Sequence, residues 1–213
     1  MAFNIHDFKS RGLALNGARP SLFSVDIPQG WPHMNGSNSQ VPYMAKASSL
    51  PQSTINEVEV GYFGRKIKLA GDRTYANWAC TFYNDESFSI RNGMLNWHQY
   101  INSTVPNLMG GPEPVSPESY KSDITITQWS KAGEGNAPTA LFTCTLIGAF
   151  PVIIGPITLD WDATNQIEMF DAEFAYDYWI AGKTFPDSGQ LNSTSNYLTV
   201  PAATVPSTLS IPQ

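Results

Sequence analysis

Strict alternation of apolar and polar positions runs through most of the chain and predicts strands. In residues 20–27, PSLFSVDI, Phe23, Val25 and Ile27 point one way, while Leu22, Ser24 and Asp26 point the other. Residues 54–70 predict a long hairpin. On the way out Val58, Val60 and Tyr62 alternate with Glu57, Glu59 and Gly61; after Gly64-Arg65, Ile67 and Leu69 alternate with Lys66 and Lys68. One face of that hairpin is apolar, and the other carries opposite charges on its two arms, which favours cross-strand pairing. Such a hairpin would stand out from a small domain, and a long exposed edge is an aggregation liability unless a partner covers it.

Further along, AGDRTYANWACTFYND (70–85) reads as a tight turn leading into a strand with Trp78, Cys80 and Phe82 on one face. VPYMAKA predicts a short strand, YKSDITITQW and APTALFTCTLIGAF two more, and PVIIGPITLDW another. In NQIEMFDAEFAYDYWI, Phe170, Ala172, Phe174, Tyr176 and Tyr178 share a face opposed by Asp171, Glu173 and Asp177. Only one stretch has a convincing helical period. Ile90, Met94, Trp97 and Ile101 form a single stripe, with Asp85 the expected N-cap, Glu86 favourable in the first turn and Gly93 a penalty of about 1 kcal/mol inside.

Between these elements lie Pro/Gly-rich loops at 28–42 and 103–119, a polar arm at 1–19, and a Ser/Thr/Pro-rich extension at 181–213 whose last 26 residues carry no charged side chain. The expected organisation is one domain, 1–180, with that extension. There is no internal repeat.

At 213 residues and 42% hydrophobic, the chain can build one real core. No apolar run reaches the roughly 18 residues of a membrane helix, so no membrane anchor is expected. The N-terminus lacks the apolar segment of a signal peptide, so the expected site of synthesis is a cytosol-like compartment. A net charge of −6 argues against tight binding to phosphates. Charged residues make up 14%, which fits either a surface covered by partners or one rich in Ser, Thr and Asn. Cys80 and Cys144 sit in strand patterns and read as free buried thiols.

A search for chemistry finds no catalytic residues and no cofactor or metal site. His6, His33 and His98 lack metal-ligand spacing. Asp160 and Asp162, in DWDATNQIE, lack the central Gly of a Ca²⁺ loop, and a turn with Asn165 at the bend is the simpler reading. GxSxG, GxGxxG and a Lys-Ser/Thr phosphate loop are all absent. The chain is therefore not expected to be an enzyme. A carbohydrate-binding β-sandwich needs an exposed aromatic platform, whereas most of the aromatics here occupy alternating strand positions.

ARPSLFSVDI (18–27), GRKIKLAGDRTY, FYND before the helix, and LDWD…FAYDYW at the end keep one order and spacing. In these motifs, over about three quarters of its length, the sequence resembles the tail tube proteins of contractile-tailed bacteriophages. Loops 28–42 and 103–119 are longer than in shorter members, and the extension is additional. The resemblance implies a mainly β fold: a small antiparallel β-barrel or sandwich with one flanking α-helix and a long protruding hairpin. It implies hexameric rings stacked into a hollow tube inside a sheath, with the hairpins lining the lumen. Implied partners are further copies of the chain, the tail sheath protein, baseplate or tube-initiator, tape measure and tail terminator proteins. DNA would pass without specific binding, repelled by an acidic lumen. The location would be the virion tail, assembled in the host cytoplasm. Glu57, Glu59, Arg65, Lys66 and Lys68 would then pair between subunits or face the channel. Asp72 and Arg73, after a Gly71 of positive φ, would fix the joint between hairpin and core. Related devices, a bacteriocin or secretion-system tube or a tube initiator, would share this fold.

Overall fold

The computed structural model describes residues 9, 17–28, 34, 36–109, 116–134 and 137–182. The arm at 1–19 lies mostly outside them, as do parts of both long loops and the extension beyond Gly182. The chain is mainly β and antiparallel. Its strands are β1 (Phe23–Asp26), β2 (Ala45–Ser48), β3 (Thr54–Tyr62), β4 (Arg65–Thr74), β5 (Trp78–Tyr83), β6 (Ser122–Glu134), β7 (Ala137–Ile154), β8 (Met169–Ala175) and β9 (Tyr178–Gly182). Seven of these form one sheet in the order β1-β6-β7-β8-β5-β2, with β9 also paired to β7; β3 and β4 form a separate two-stranded sheet. The end strands β1 and β2 do not pair, so among the described residues the sheet does not close into the barrel that is one of the two forms the resemblance implies.

Alternation sets the core. Val25, Ile27, Trp78, Cys80, Phe82, Ile124, Ile126, Cys144, Leu146, Phe170, Ala172 and Phe174 are all buried. Opposed residues stack across the β5–β8 pair: Trp78 faces Phe174 and Phe82 faces Phe170, with ring centroids 5.6 and 5.8 Å apart. The helix α1 (Ser89–Ile101) closes this core with the predicted stripe, burying Ile90, Met94 and Trp97. The Trp97 indole N–H donates to the Tyr120 carbonyl at 2.7 Å.

The long strand β7 turns a corner. Up to Ala149 it pairs with β6; from Phe150 it pairs with β8. Gly148, at φ +66, makes the bend. Asp123 accepts its N–H at 3.0 Å, and an added Cβ would lie 2.5 Å from the Asp177 carboxylate. The same Asp177 binds Lys121 at 2.8 Å and donates its own N–H to the Ile147 carbonyl. These contacts interrupt the last strand at 176–177, so Tyr178 starts β9 half-exposed instead of sharing the buried face of Phe170 and Phe174.

Three further expectations are corrected. Helix α1 begins at Ser89, not at Asn84-Asp85. Asp85 caps it from four residues out, accepting the Ser89 N–H at 2.9 Å and the Ser87 and Ser89 hydroxyls. In VPYMAKA, Val41–Met44 form a helical turn, and only Ala45–Ser48 is strand. The β7–β8 connection, 155–168, is an irregular loop in place of the strand predicted through Trp161; its turn does fall at Asn165, at φ 61.

Candidate assembly surface

The hairpin β3–β4 forms because two alternating arms meet at a turn that suits the strand twist. The turn is Phe63-Gly64, not Gly64-Arg65: Tyr62 already faces Arg65, and Phe63 and Gly64 take φ 47 and 77. Two positive φ values in a two-residue loop match the right-handed twist of the flanking strands. Gly takes this conformation freely, whereas a bulky Phe there is uncommon.

Register places Val58 opposite Leu69 and Val60 opposite Ile67, so these four share one face with Tyr62. Glu57, Glu59, Lys66 and Lys68 share the other. Lys66 binds Glu59 at 2.5 Å and Lys68 binds Glu57 at 2.6 Å, both diagonally across the strands. Arg65 departs from this set. It sits opposite Tyr62 and so belongs to the apolar face.

The expected turn at 70–73 is absent, because β4 continues to Thr74 and the chain leaves the hairpin at 75–77. Gly71 does not adopt a positive φ. Its smallness serves a bulge. Ile55 faces Arg73 and Glu57 faces Ala70, so Asn56 alone opposes Gly71 and Asp72. An added Cβ on Gly71 would lie 2.9 Å from the Asn56 carbonyl oxygen. Arg73 falls on the Glu57 side by its register with Ile55. Among the described residues neither Asp72 nor Arg73 has an ion-pair partner.

Among the described residues the hairpin has no packing partner of any extent besides itself. Every residue of β3 and β4 is exposed except Gly71, and neither strand makes an extensive contact with another element. Val60 is 44% exposed and Ile67 51%. Among the described residues no third strand pairs with either outer edge. A two-stranded ribbon of this length with an open apolar face is marginal alone and needs a third partner. Its charges sum to +1: Arg65, Lys66, Lys68 and Arg73 against Glu57, Glu59 and Asp72. The hairpin by itself therefore does not make an acidic surface.

The remaining titratable groups serve the fold. Cys80 and Cys144 are free and buried, and burial pushes their thiols up to about 12 and about 11. His98 sets its ring nitrogen 3.1 Å from the Pro151 carbonyl, and burial lowers its pKa. The Ser87 hydroxyl, followed by that of Ser89, holds the Asp85 carboxyl below its ordinary value.

Sequence reasoning missed the loop 155–168. Trp161 there is wholly exposed, with Leu159 and Ile167 also open to solvent. Alternation predicts strand only through Trp161, and the turn at Asn165 is legible, but the exposure of the segment between them carries no periodic signal.

The family described as phage tail tube protein matches residues 18–182. The tail tube protein gp19 of Enterobacteria phage T4 is 32% identical over 162 residues, covering 76% of this chain and 90% of that protein. The tail tube protein of Serratia phage KSP90 is 27% identical over 133 residues, covering 62% and 70%. Two solved structures share the fold. A chain of the anti-feeding prophage baseplate has 13% identity and TM-score 0.52, covering 79% of this chain and 97% of that one. A chain of the tube-terminating cap of the same particle has 16% identity and TM-score 0.54, covering 79% and 92%.

Proposed function

The chain belongs to the phage tail tube protein family, a structural component of the virion tail, and on that premise we propose that it polymerises through its hairpin into the wall of a hollow tube. The observation that carries this is the free-standing β3–β4 ribbon. Among the described residues its two outer edges have no strand partner and its apolar face is uncovered. Copies that pair hairpin to hairpin satisfy the backbone groups of both edges, and six such copies close a ring in which no edge remains. Stacked rings make the conduit, held within a contractile sheath and started, measured and capped by baseplate or initiator, tape measure and terminator proteins.

The charged face then turns toward the channel. Lys66 and Lys68 each carry a glutamate within 2.6 Å, so neither offers a free cation to a passing phosphate. The lumen contributed by the hairpin is close to neutral, and DNA slides past it without the counterion release that drives binding. Asp72 and Arg73, unpaired among the described residues, are free to bond across the joint between neighbours. A structural part of this kind has no turnover chemistry.

Electron microscopy and mass photometry of the purified protein test this reading. Hollow rings or tubes of uniform width are expected. A monomer at every concentration, with or without added baseplate, would overturn it.

A further inference from the structure

The loop 155–168 has the features of a docking surface on the side of the molecule that the hairpin does not form. Trp161 is 101% exposed, Leu159 79% and Ile167 65%. Together with Met169 they line an open cleft of about 590 Å³. Exposed apolar clusters of this kind mark interaction sites, and Trp is the side chain most enriched where binding energy concentrates.

The loop is also held in place. At its start the Gly155 N–H donates to the Asp171 carbonyl at 2.6 Å, and Arg91 binds the Gly155 carbonyl at 2.8 Å. At its end Glu168 accepts the Asn84 side chain at 2.9 Å. At its tip Asp160 accepts the N–H groups of Asp162 and Ala163, at 3.0 Å through its carboxylate and 3.3 Å through its carbonyl. Trp161 is thus presented on a constrained turn, which lowers the entropy lost on docking.

Charge decides what docks there. Asp160 and Asp162 flank Trp161, are exposed, and have no cation partner among the described residues. Lys46, the base at the edge of the patch, is engaged with the Met169 sulfur and lies 5.7 Å from the Tyr83 ring centroid. The complementary surface is an open apolar face with a free cation, and this chain carries one. On the apolar face of the hairpin Arg65 stands beside Tyr62 near the turn and is the one cation of the hairpin there, with Asp72 at the far, bulged end, while Lys66 and Lys68 are paired on the opposite face. Among the described residues the hairpin makes no extensive contact with another element of its own chain, which leaves its apolar face for another copy.

We propose that the apolar face of the hairpin of one copy seats on the Leu159–Trp161–Ile167 loop of the next, with Arg65 set against Asp160 and Asp162. The proposal rests on the tube-subunit reading and names its second contact. Two different patches of one chain join head to tail, a heterologous contact that either closes a ring or continues as a helix. The guanidinium also gains the face of Trp161, the best cation–π partner among side chains.

Sedimentation and electron microscopy would compare the wild type with Arg65→Asp, with Asp160→Arg/Asp162→Arg, with all three changes combined, and with Trp161→Ala. Lys131→Asp, an exposed base on neither surface, is the control. Each charge reversal alone is expected to raise the concentration needed for assembly by about tenfold or more, and the combination to bring most of it back. Trp161→Ala is expected to stay folded by its melting curve and to fail to assemble. If the loop variants assemble like wild type, the contact is wrong and the tube reading stands. If the reversals fail singly and the combination gives no rescue, the Arg65 pairing is wrong. A wild type that never forms rings or tubes overturns both readings together.

Discussion

Replacing Val60 and Ile67 by aspartate is expected to abolish assembly while leaving the fold intact. The two residues face each other across the hairpin and are about half exposed in the free chain. Their side chains touch no core, so each substitution costs the monomer about 0.5 kcal/mol at most. For a chain of this size, a sum near 1 kcal/mol lowers the melting temperature by about 2–4 °C. In the polymer the same face is covered. Full burial of a Val or Ile is worth about 1.5–3 kcal/mol, so covering the remaining half contributes about 1 kcal/mol for each residue. Two carboxylates placed there without partners add a desolvation penalty of several kcal/mol. The combined loss exceeds about 3 kcal/mol per contact, more than a hundredfold in the concentration that supports assembly. Thermal melts and mass photometry on the same preparation separate the two effects. A fall in melting temperature above about 10 °C would show that the hairpin braces its own core. Assembly at the wild-type concentration would show that its apolar face stays in water.

Three further outcomes are expected. Gly93→Ala should destabilise the protein by about 1–2 kcal/mol despite a better helix propensity, because the new Cβ runs into the buried Ser37 hydroxyl, and a lower melting temperature checks it. Neither Cys80 nor Cys144 should react with an alkylating agent at pH 8 in the native protein, since burial keeps both thiols protonated, and both should react once the chain is unfolded; mass spectrometry reads the difference. Asp85→Asn should lower stability at neutral pH by a few tenths of a kcal/mol, since the amide oxygen still caps the Ser89 N–H but the negative charge at the helix N-terminus is lost. The Asp85 carboxyl is depressed on folding from 3.8, so its contribution is fully present above that value and fades as pH falls through the lower folded-state pKa. The gap in melting temperature between wild type and variant should therefore close below about pH 4.

Most of the fold was legible because burial follows the side-chain period. Val25 and Ile27, Trp78 and Phe82, and Phe170 and Phe174 alternate in sequence and fill one core in space. The helical stripe from Ile90 to Trp97 reads the same way. What the pattern could not show depends on contacts distant in sequence. The corner at Gly148 and the break at Asp177 are two sides of one arrangement with Lys121 and Asp123, and no local window contains all four. Gly71 looked like a turn residue; the crowding that selects it comes from Asn56 across the bulge. Of the candidate site, Glu57, Glu59, Lys66 and Lys68 fall on one face as alternation requires. Arg65 was grouped with them because the turn was placed one residue late, and moving the turn to Phe63-Gly64 carries Arg65 to the apolar side. Trp161, in the LDWD motif, reads as the end of a strand, and its place on an exposed loop depends on the corner of β7 far from any local window.

A three-dimensional reconstruction of the assembled protein tests the central claim most directly, through the position of residues 54–74. The account predicts that β3 and β4 line the channel, that β3 of one copy forms ladder hydrogen bonds with β4 of its neighbour, and that Glu57, Glu59, Lys66 and Lys68 face the lumen. A tube whose channel is walled by another element, with the hairpin on the outer surface or unpaired, would contradict it.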